Sequence, residues 1–423
     1  MNKATISLLI FLCAYILFIF LPKRRTSVAI GASLLLLVAK TVTLKEAFFA
    51  INWNVMGIFV GTLVVANIFM ESRVPAYLAE IIVDKAKNTT WAILLICVLT
   101  GFISAFVENV ATVLIVAPIA LSLAKKIKLN PIKMMIAIAI SSNLQGAATL
   151  IGDPPSMLLA GYSKMNFGDF FFYKGRPSIF FAVEIGALAS FFVLYSIFRK
   201  QRGKPAFISV ERVKSWVPTI ILVGMIALLV LSSFFDTGFT YMAGIICTIT
   251  GIVSILWEKF INKTPVLDGI KALDWETTFF LMGVFILVGS ITITGWIEVV
   301  STFLSGLVGN NIFVGYTLLV FVSVFLSAFI DNVPFLATML PVAIAMANKL
   351  HVNPALFLFG LLIGASLGGN ITPIGASANI VACGLLKKEG YTIKFKDFMK
   401  IGLPFTFAAV TTAYLFIWLV WSR

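Results

Sequence analysis

The heptapeptide Ser104-Ala-Phe-Val-Glu-Asn-Val110 returns 223 positions later as Ser327-Ala-Phe-Ile-Asp-Asn-Val333. The same offset relates further helix-breaking and small polar residues without a gap. They are Pro118 and Pro341, Asn130-Pro131 and Asn353-Pro354, Gly146 and Gly369, Thr149 and Thr372, and Ile151-Gly152 and Ile374-Gly375. Upstream, Asn52-Trp53 and Asp274-Trp275 match at an offset of 222. A self-match of this length indicates an internal repeat.

The composition around this repeat excludes a soluble protein. Of 423 residues, 60% are hydrophobic and 12% are charged, whereas soluble domains average roughly 45–50% apolar and about 25% charged residues. The net charge of +14 could suggest a nucleic-acid partner. The basic residues lie in short loops between apolar segments, however, so membrane topology explains them better and no nucleic-acid partner is expected.

Apolar segments long enough to cross a bilayer recur along the chain. A spanning helix needs about 20 apolar residues. Ten crossings are predicted at 5–21, 27–42, 53–70, 131–161, 177–198, 215–234, 240–257, 276–294, 354–384 and 401–421. Two more apolar regions, 91–124 and 312–348, are interrupted by Glu108-Asn109 and Asp331-Asn332. Polar tips at membrane depth must meet protein or water, so we interpret both regions as re-entrant hairpins.

The loop charges orient this topology. With the hairpins counted as non-crossing, 24 of the 32 Lys and Arg residues fall on one side, among them the flank Pro22-Lys-Arg-Arg25. The positive-inside rule makes that side cytoplasmic. Both termini are therefore predicted outside a multi-pass protein of the cytoplasmic (inner) membrane.

Five crossings separate the hairpins, so the two copies should be inserted in opposite senses. We predict an all-α integral membrane protein of about ten transmembrane helices plus two re-entrant hairpins. It divides into inverted repeats, 1–214 with an N-terminal helix and 215–423, each with one broken helix, at 131–161 and 354–384. Inverted repeats with broken helices are typical of secondary transporters, whose site lies at the midplane.

Each predicted broken helix carries glycine, proline and small polar residues, over 141–156 and 364–379. Glycine permits unwinding, and proline removes a backbone donor. Freed carbonyls can then bind a cation, and the N-terminus of the following half-helix can bind an anion. A packing kink is the alternative for either segment alone, but the symmetric pair favours a binding site.

Buried charge points to the same region. Outside the loops the carboxylates are Glu108, Asp153, Glu184 and Asp331, and no Lys or Arg of the apolar cores is expected to pair with them. An unpaired carboxylate in lipid should face a cavity, bind a cation or hold a proton. A local helix cap is the alternative for Glu108 and Asp331, and a neutral or interfacial position is the simpler interpretation of Glu184.

The predicted substrate- and ion-binding residues come from the hairpin tips and the two breaks. They are Glu108, Asn109, Thr112, Asn143, Gly146, Thr149, Gly152, Asp153, Ser156, Asp331, Asn332, Ser366, Gly369, Asn370, Thr372, Gly375, Ser377 and Asn379. The single histidine, His351, and four cysteines without CxxC spacing offer neither a metal site nor a catalytic triad. We therefore expect no enzyme activity and no cofactor, only Na⁺ or H⁺ as a coupling ion.

Three stretches resemble the arsenite permease and pigmentation P-protein permeases of the ion-transporter superfamily, which also includes divalent-anion/sodium symporters. These are 108–118, 146–156 and 367–379. The resemblance implies a homodimer in which a mobile part moves against a scaffold like an elevator. In the sodium-coupled symporters each tip is Ser-Asn-Thr, and here only Asn109 and Asn332 match it. This departure favours acids that exchange protons.

The leading hypothesis from the sequence is a secondary active transporter of a small solute, arsenite-like first, coupled to H⁺ or Na⁺. A Na⁺/H⁺ antiporter and a citrate-type or dicarboxylate symporter are the alternatives. The resemblance suggests arsenite, whereas the residues indicate only a compact polar site. Apolar residues flank the tips, so a bulky substrate is not expected.

Overall fold

The computed structural model describes residues 2–201, 203, 212–263, 265–271, 273–309 and 311–422. Over these residues the chain is almost entirely helical, which confirms the predicted all-α class. The first ten helices are α1 (Lys3–Phe20), α2 (Arg25–Val38), α3 (Leu44–Ala50), α4 (Trp53–Glu71), α5 (Val74–Asp84), α6 (Thr89–Ser104), α7 (Asn109–Lys126), α8 (Ile132–Gly146), α9 (Pro154–Ser163) and α10 (Ile179–Phe198).

Ten more helices follow in the second half. They are α11 (Val217–Ser232), α12 (Met242–Trp257), α13 (Val266–Lys271), α14 (Trp275–Ile293), α15 (Trp296–Val308), α16 (Ile312–Ser327), α17 (Asn332–Lys349), α18 (Pro354–Gly368), α19 (Ser377–Lys388) and α20 (Phe395–Trp421). Short helical turns occupy Pro22–Arg24, Gly168–Phe170, Glu258–Asn262 and Gly369–Ile371, and strands β1 (Phe172–Tyr173) and β2 (Arg176–Pro177) pair antiparallel.

The two halves have the same order of elements, α1–α10 followed by α11–α20. The hairpins are the pairs α6–α7 and α16–α17, and the broken helices are α8–α9 and α18–α19. The predicted hairpin and break regions thus end within a few residues of the observed helices. Opposite insertion of the two halves, and the division at 214/215, remain predictions.

By length and composition, eight helices of the described part could cross a membrane, or nine if α15 and α16, bent by 119°, form one span. The second arm of the first hairpin, α7, is one of the eight. Helices α2 and α11 are shorter than a full crossing, and so is each piece of the first broken helix. These short helices explain the difference from the ten predicted crossings.

The halves exchange one helix each. Helix α12 packs along α4, and its counterpart α2 packs along α14, so each pair joins different halves. Small residues allow the close approach: a Cβ added at Gly61 of α4 would lie 2.2 Å from the backbone carbonyl of Cys247. At the matching place in the other pair, a Cβ on Gly283 would lie 2.7 Å from Ala29. Small-residue contacts are the usual basis of tight helix packing in membranes.

We expect Gly61→Ala to destabilise the fold. The backbone of α12 cannot yield to the added methyl group without moving the whole helix, and overpacking of this kind costs about 1–3 kcal/mol. Gly224→Ala on α11 is the matched control, because a Cβ there meets nothing within 4 Å. Thermal unfolding in detergent should show a lower melting temperature for the first variant only. Equal melting temperatures would contradict the packing described here.

Candidate functional site

A cavity of about 150 Å³ lies where the two hairpin tips meet the two helix breaks. Among the predicted site residues, those that line it come from both halves. They are Glu108, Asn109, Asn143, Asp153, Asp331, Asn332 and Ser377. The cavity is bounded on one side by Asp274, which is exposed at the start of α14. Its volume is below the roughly 300–1,000 Å³ of sites for drug-sized ligands, so it suits a small solute.

The first hairpin tip is held against the broken helix by hydrogen bonds. Glu108 caps α7, and its Oε2 accepts from the Ala111 N–H at 3.0 Å. The Ser104 hydroxyl donates to Asn109 Oδ1 at 2.6 Å and lies 2.8 Å from the Ser142 hydroxyl. The amide of the tip is therefore fixed by residues of both α6 and α8.

Gly146 provides the surface on which the Asn109 amide rests. A Cβ at this position would lie 2.3 Å from Asn109 Oδ1 and 2.8 Å from its Nδ2. We therefore expect Gly146→Ala to displace the amide and to remove transport, as we also expect of Asn109→Ala, while the protein stays folded in both variants. Gly384→Ala, with nothing within 4 Å of the new Cβ, is the control. Normal uptake by Gly146→Ala would contradict a role of this tip.

The first break ends in a carboxylate rather than in free N–H groups. Asp153 caps α9, where its Oδ1 accepts from the Ser156 N–H at 3.0 Å and from the Ser156 hydroxyl at 2.8 Å. Pro154 and Pro155 follow it and have no N–H to offer. Asp153 is 2% exposed and faces both Asn109 and Glu108. This side of the cavity is therefore suited to a cation or a proton.

The second break is different, because Ala376 takes the place of Asp153. Helix α19 begins there with no side-chain cap. Its first residues, Ser377 and Ala378, line the cavity. The first N–H groups of a helix lack intrahelical partners and favour negative or oxygen-bearing groups. The two breaks thus present opposite chemistry to one small cavity.

Asn143 connects the two halves behind the cavity. Its Nδ2 donates to Asn370 Oδ1 at 3.0 Å and to Asn379 Oδ1 at 2.9 Å. The Asn379 amide in turn donates to the Gly369 and Thr372 carbonyls, each at 2.9 Å. This network fixes the second break to the C-terminal part of α8.

Matching contacts brace both breaks against the hairpins. The Thr149 hydroxyl donates to the Ala105 carbonyl, and the Thr372 hydroxyl to that of Ala328. The remaining predicted residues likewise lie around the cavity rather than in its lining. They are Thr112, Gly146, Gly152, Ser156, Ser366, Gly369, Asn370, Gly375 and Asn379. Thr112 donates its hydroxyl to carbonyls of its own hairpin, those of Val107 and Glu108.

One sequence inference is wrong: a half-buried carboxylate at a hairpin tip does have a basic partner. Arg25 Nη1 forms an ion pair with Asp331. Its Nη2 donates to the Thr277 hydroxyl at 3.4 Å, and its guanidinium lies 4.9 Å from the centre of the Phe280 ring. The sequence assigned Arg25 to a cytoplasmic flank, but α2 begins at this residue and directs the side chain into the protein.

Sequence reasoning also missed other parts of the site. Asp274 and Thr277 line the cavity, and Ser104 holds the tip, although the repeat itself includes Ser104. Glu184 lies elsewhere, in a separate cavity of about 230 Å³ beside Gln145. The repeat was the available signal for Ser104, because it pairs Ser104 with Ser327. In the structure Ser327 likewise contacts the broken helix of its own half, where its hydroxyl donates to the Ala365 carbonyl.

Two hairpins, two broken helices and a small polar cavity between them define a membrane transporter. A family model described as "Citrate transporter" matches residues 15–359 and 338–423. The chain belongs to this citrate transporter family.

Related sequences and structures agree with this class. An uncharacterized transporter of Mycobacterium bovis is 26% identical over 427 residues, with 98% of each chain covered. The P protein of Sus scrofa is 26% identical over 490 residues, covering 95% of this chain and 58% of the P protein. The predicted P-protein resemblance is thereby confirmed.

Two solved transporters share the fold. The YdaH transporter of Alcanivorax borkumensis superimposes with a TM-score of 0.61 at 14% identity, covering 88% of this chain and 85% of YdaH. MtrF of Neisseria gonorrhoeae, from a class of antimetabolite efflux pumps, gives 0.57 at 14% identity, covering 92% and 84%.

Proposed function

We propose that this secondary transporter carries a small oxygen-bearing solute, coupled to H⁺ or Na⁺. The observation that carries this proposal is the opposite chemistry of the two breaks. Asp153 and Glu108 supply carboxylates on one side, and the uncapped start of α19 supplies N–H donors on the other. A cation and a solute oxygen can therefore occupy one cavity together, which is the simplest basis for coupling.

Arsenite is the first solute to test, because it is small and rich in hydroxyl oxygens. Citrate is the second candidate, which the description of the family favours. Of the described residues that line the cavity, four are acidic, Glu108, Asp153, Asp274 and Asp331, and one is basic, Arg25. A free citrate anion would be repelled by this excess of carboxylates, so citrate should enter with a cation or after protonation.

The proposal is tested with purified protein in liposomes. Uptake of arsenite, uptake of citrate with and without Mg²⁺, and pH change driven by a Na⁺ gradient are measured in parallel. We expect solute uptake that depends on a H⁺ or Na⁺ gradient. A Na⁺-driven pH change without uptake of either solute would favour a Na⁺/H⁺ antiporter. The absence of all three activities would contradict the proposal for these solutes.

We propose that the cavity faces the cytoplasm. Asp274 and Thr277 at its edge belong to the start of α14, next to the flank at Arg25, where Thr26 donates to the Glu276 carbonyl at 2.9 Å. The positive-inside rule assigns both segments to the cytoplasm. Entry from the cytoplasm makes Asp274 the first charged group that the solute would meet.

A labelling experiment tests the orientation. A reporter in the loop 199–214, part of which lies outside the described residues, should be accessible from the cytoplasm. One in the loop 164–176 should be accessible from outside. Labelling of both loops from the same side would contradict the topology, and with it the cytoplasmic opening of the cavity.

An elevator-type movement within a homodimer also belongs to the proposal. Its support is the grouping of hairpins and broken helices around one site, together with the resemblance to the permeases. Cysteine pairs placed between the hairpin tips and α4 or α14 should cross-link in a manner that depends on the gradient. Cross-linking of one fixed pair in every condition would contradict the movement.

A further inference from the structure

The second hairpin tip carries an acid that is already neutralised by the chain itself. Asp331 caps α17, with its Oδ1 accepting from the Val333 N–H at 3.0 Å, and its other oxygen pairs with Arg25. The guanidinium also contacts Thr277 and the face of Phe280. Three different partners thus fix this side chain, which suits the flat, multiply donating guanidinium group.

The first hairpin tip has no such partner. Glu108 corresponds to Asp331, yet among the described residues no lysine or arginine pairs with Glu108 or Asp153. Gly61 packs on Cys247 as Gly283 packs on Ala29, so Ala29 corresponds to Cys247, and at the same offset of 218 Arg25 corresponds to Ala243 of α12. Ala243 is buried and neutral. The repeat has therefore placed a fixed charge on one side only.

The N-terminal helices hold Arg25 in place. The Tyr15 hydroxyl of α1 donates to the Pro334 carbonyl at 2.8 Å and contacts the Thr338 hydroxyl, both on α17. Helix α2, which begins with Arg25, packs along α14. Helices α1 and α2 pack on each other, so together they hold the backbone of Arg25 beside the second hairpin.

We propose that the second hairpin is a monovalent-cation site that Arg25 fills from within the protein in the conformation described here. The guanidinium replaces the external ion at Asp331, and ion exchange is confined to the first hairpin. The filled site follows from the contacts of Arg25 alone, whereas the restriction of exchange to Glu108 rests on the proposed coupled transport. The ligand class at the second tip is a guanidinium or another single positive charge.

Chemical rescue tests the filled site without any transport substrate. Full-length Arg25→Ala is purified in detergent, and its melting temperature is measured in choline chloride, in guanidinium chloride at millimolar concentration and in NaCl of equal ionic strength. We expect a melting temperature several degrees below that of the unmodified protein, recovered by guanidinium and partly by Na⁺. Arg24→Ala, which removes an exposed charge one residue away, should show neither the loss nor the recovery.

The double variant Arg25→Ala/Asp331→Asn separates a filled site from simple packing. Removing both charges should restore folding relative to Arg25→Ala and abolish the recovery by guanidinium, because an unpaired half-buried charge is less favourable than none. If Arg25→Ala does not accumulate, restored accumulation of the double variant gives the same answer. Equal stability of all variants, or rescue that persists without Asp331, would overturn the inference.

These measurements distinguish the inference from the proposed function. Failure of uptake in liposomes would leave the rescue experiment intact, since melting requires no substrate. Conversely, if uptake is coupled but cations do not stabilise the Arg25→Ala variant, the proposed function stands and the inference of a filled site is wrong.

Discussion

Glu108→Gln is expected to lower ion-coupled uptake strongly and to leave the protein folded. Glutamine keeps the shape of the side chain, and its carbonyl can still accept from the Ala111 N–H. It cannot bind a proton reversibly or offer a negative charge to a cation. Hydrogen bonds to charged groups contribute about 1.5–3 kcal/mol, which corresponds to a roughly 10- to 150-fold fall in gradient-driven uptake.

The measurement is uptake across a pH series, beside two related variants. Asp153→Asn should weaken affinity more than coupling, because its counterpart Ala376 cannot titrate. Asp331→Asn should mainly lower stability, because it leaves Arg25 without its partner. Because of this ion pair, we expect Glu108 rather than Asp331 to be the acid on which coupling depends most. An unchanged pH profile in all three would exclude these acids and make Glu184 the next candidate.

Asn143→Ala should have the largest effect on stability. It removes one amide that donates to Asn370 and Asn379, and both acceptors are fully buried. A buried polar group left without a partner costs about 1–3 kcal/mol, so two of them amount to roughly 2–6 kcal/mol. Thermal unfolding should therefore occur at a markedly lower temperature, and uptake should be lost.

Asn130→Ala is the matched control for this loss. Asn130 also uses its amide group, but its Oδ1 accepts from the Ile132 N–H at the exposed start of α8. Removing a helix cap costs about 1 kcal/mol, so this variant should remain active and melt close to the unmodified protein. Equal melting of the two variants would show that the Asn143 network does not join the halves.

The hairpins and breaks could be predicted because the local sequence allows few alternatives. Acids at 108 and 331 inside apolar runs cannot face lipid, and Gly and Pro at the same offset mark the same backbone change twice. The predicted hairpin 91–124 therefore agrees closely with helices that begin at Thr89 and end at Lys126. The positions of the hairpins and breaks depend on the hydrophobic pattern and composition of short segments, which can be observed in the sequence alone.

The electrostatic pairing could not be predicted because it depends on distant contacts. Arg25 and Asp331 are 306 positions apart, and a basic residue after an apolar segment has the same local pattern whether it enters the protein or faces water. The hydrogen bond from Asn143 to Asn370 could not be predicted for the same reason, because it joins residues of different halves. The repeat indicates which residues of the two halves correspond, but it does not indicate which half supplies the side chain that contacts a given residue.

The exchange of α2 and α12 between the halves has a consequence for biosynthesis. The ribosome releases α2 long before α14 is synthesised. Ala29 therefore has no packing partner until Gly283, about 250 positions later, has been added to the chain. Until then the Gly-lined side of α4 also lacks α12. Contacts of such long sequence separation form late and leave surfaces exposed during synthesis. An isolated N-terminal half should therefore be degraded or aggregate, and co-expression of the second half should rescue it.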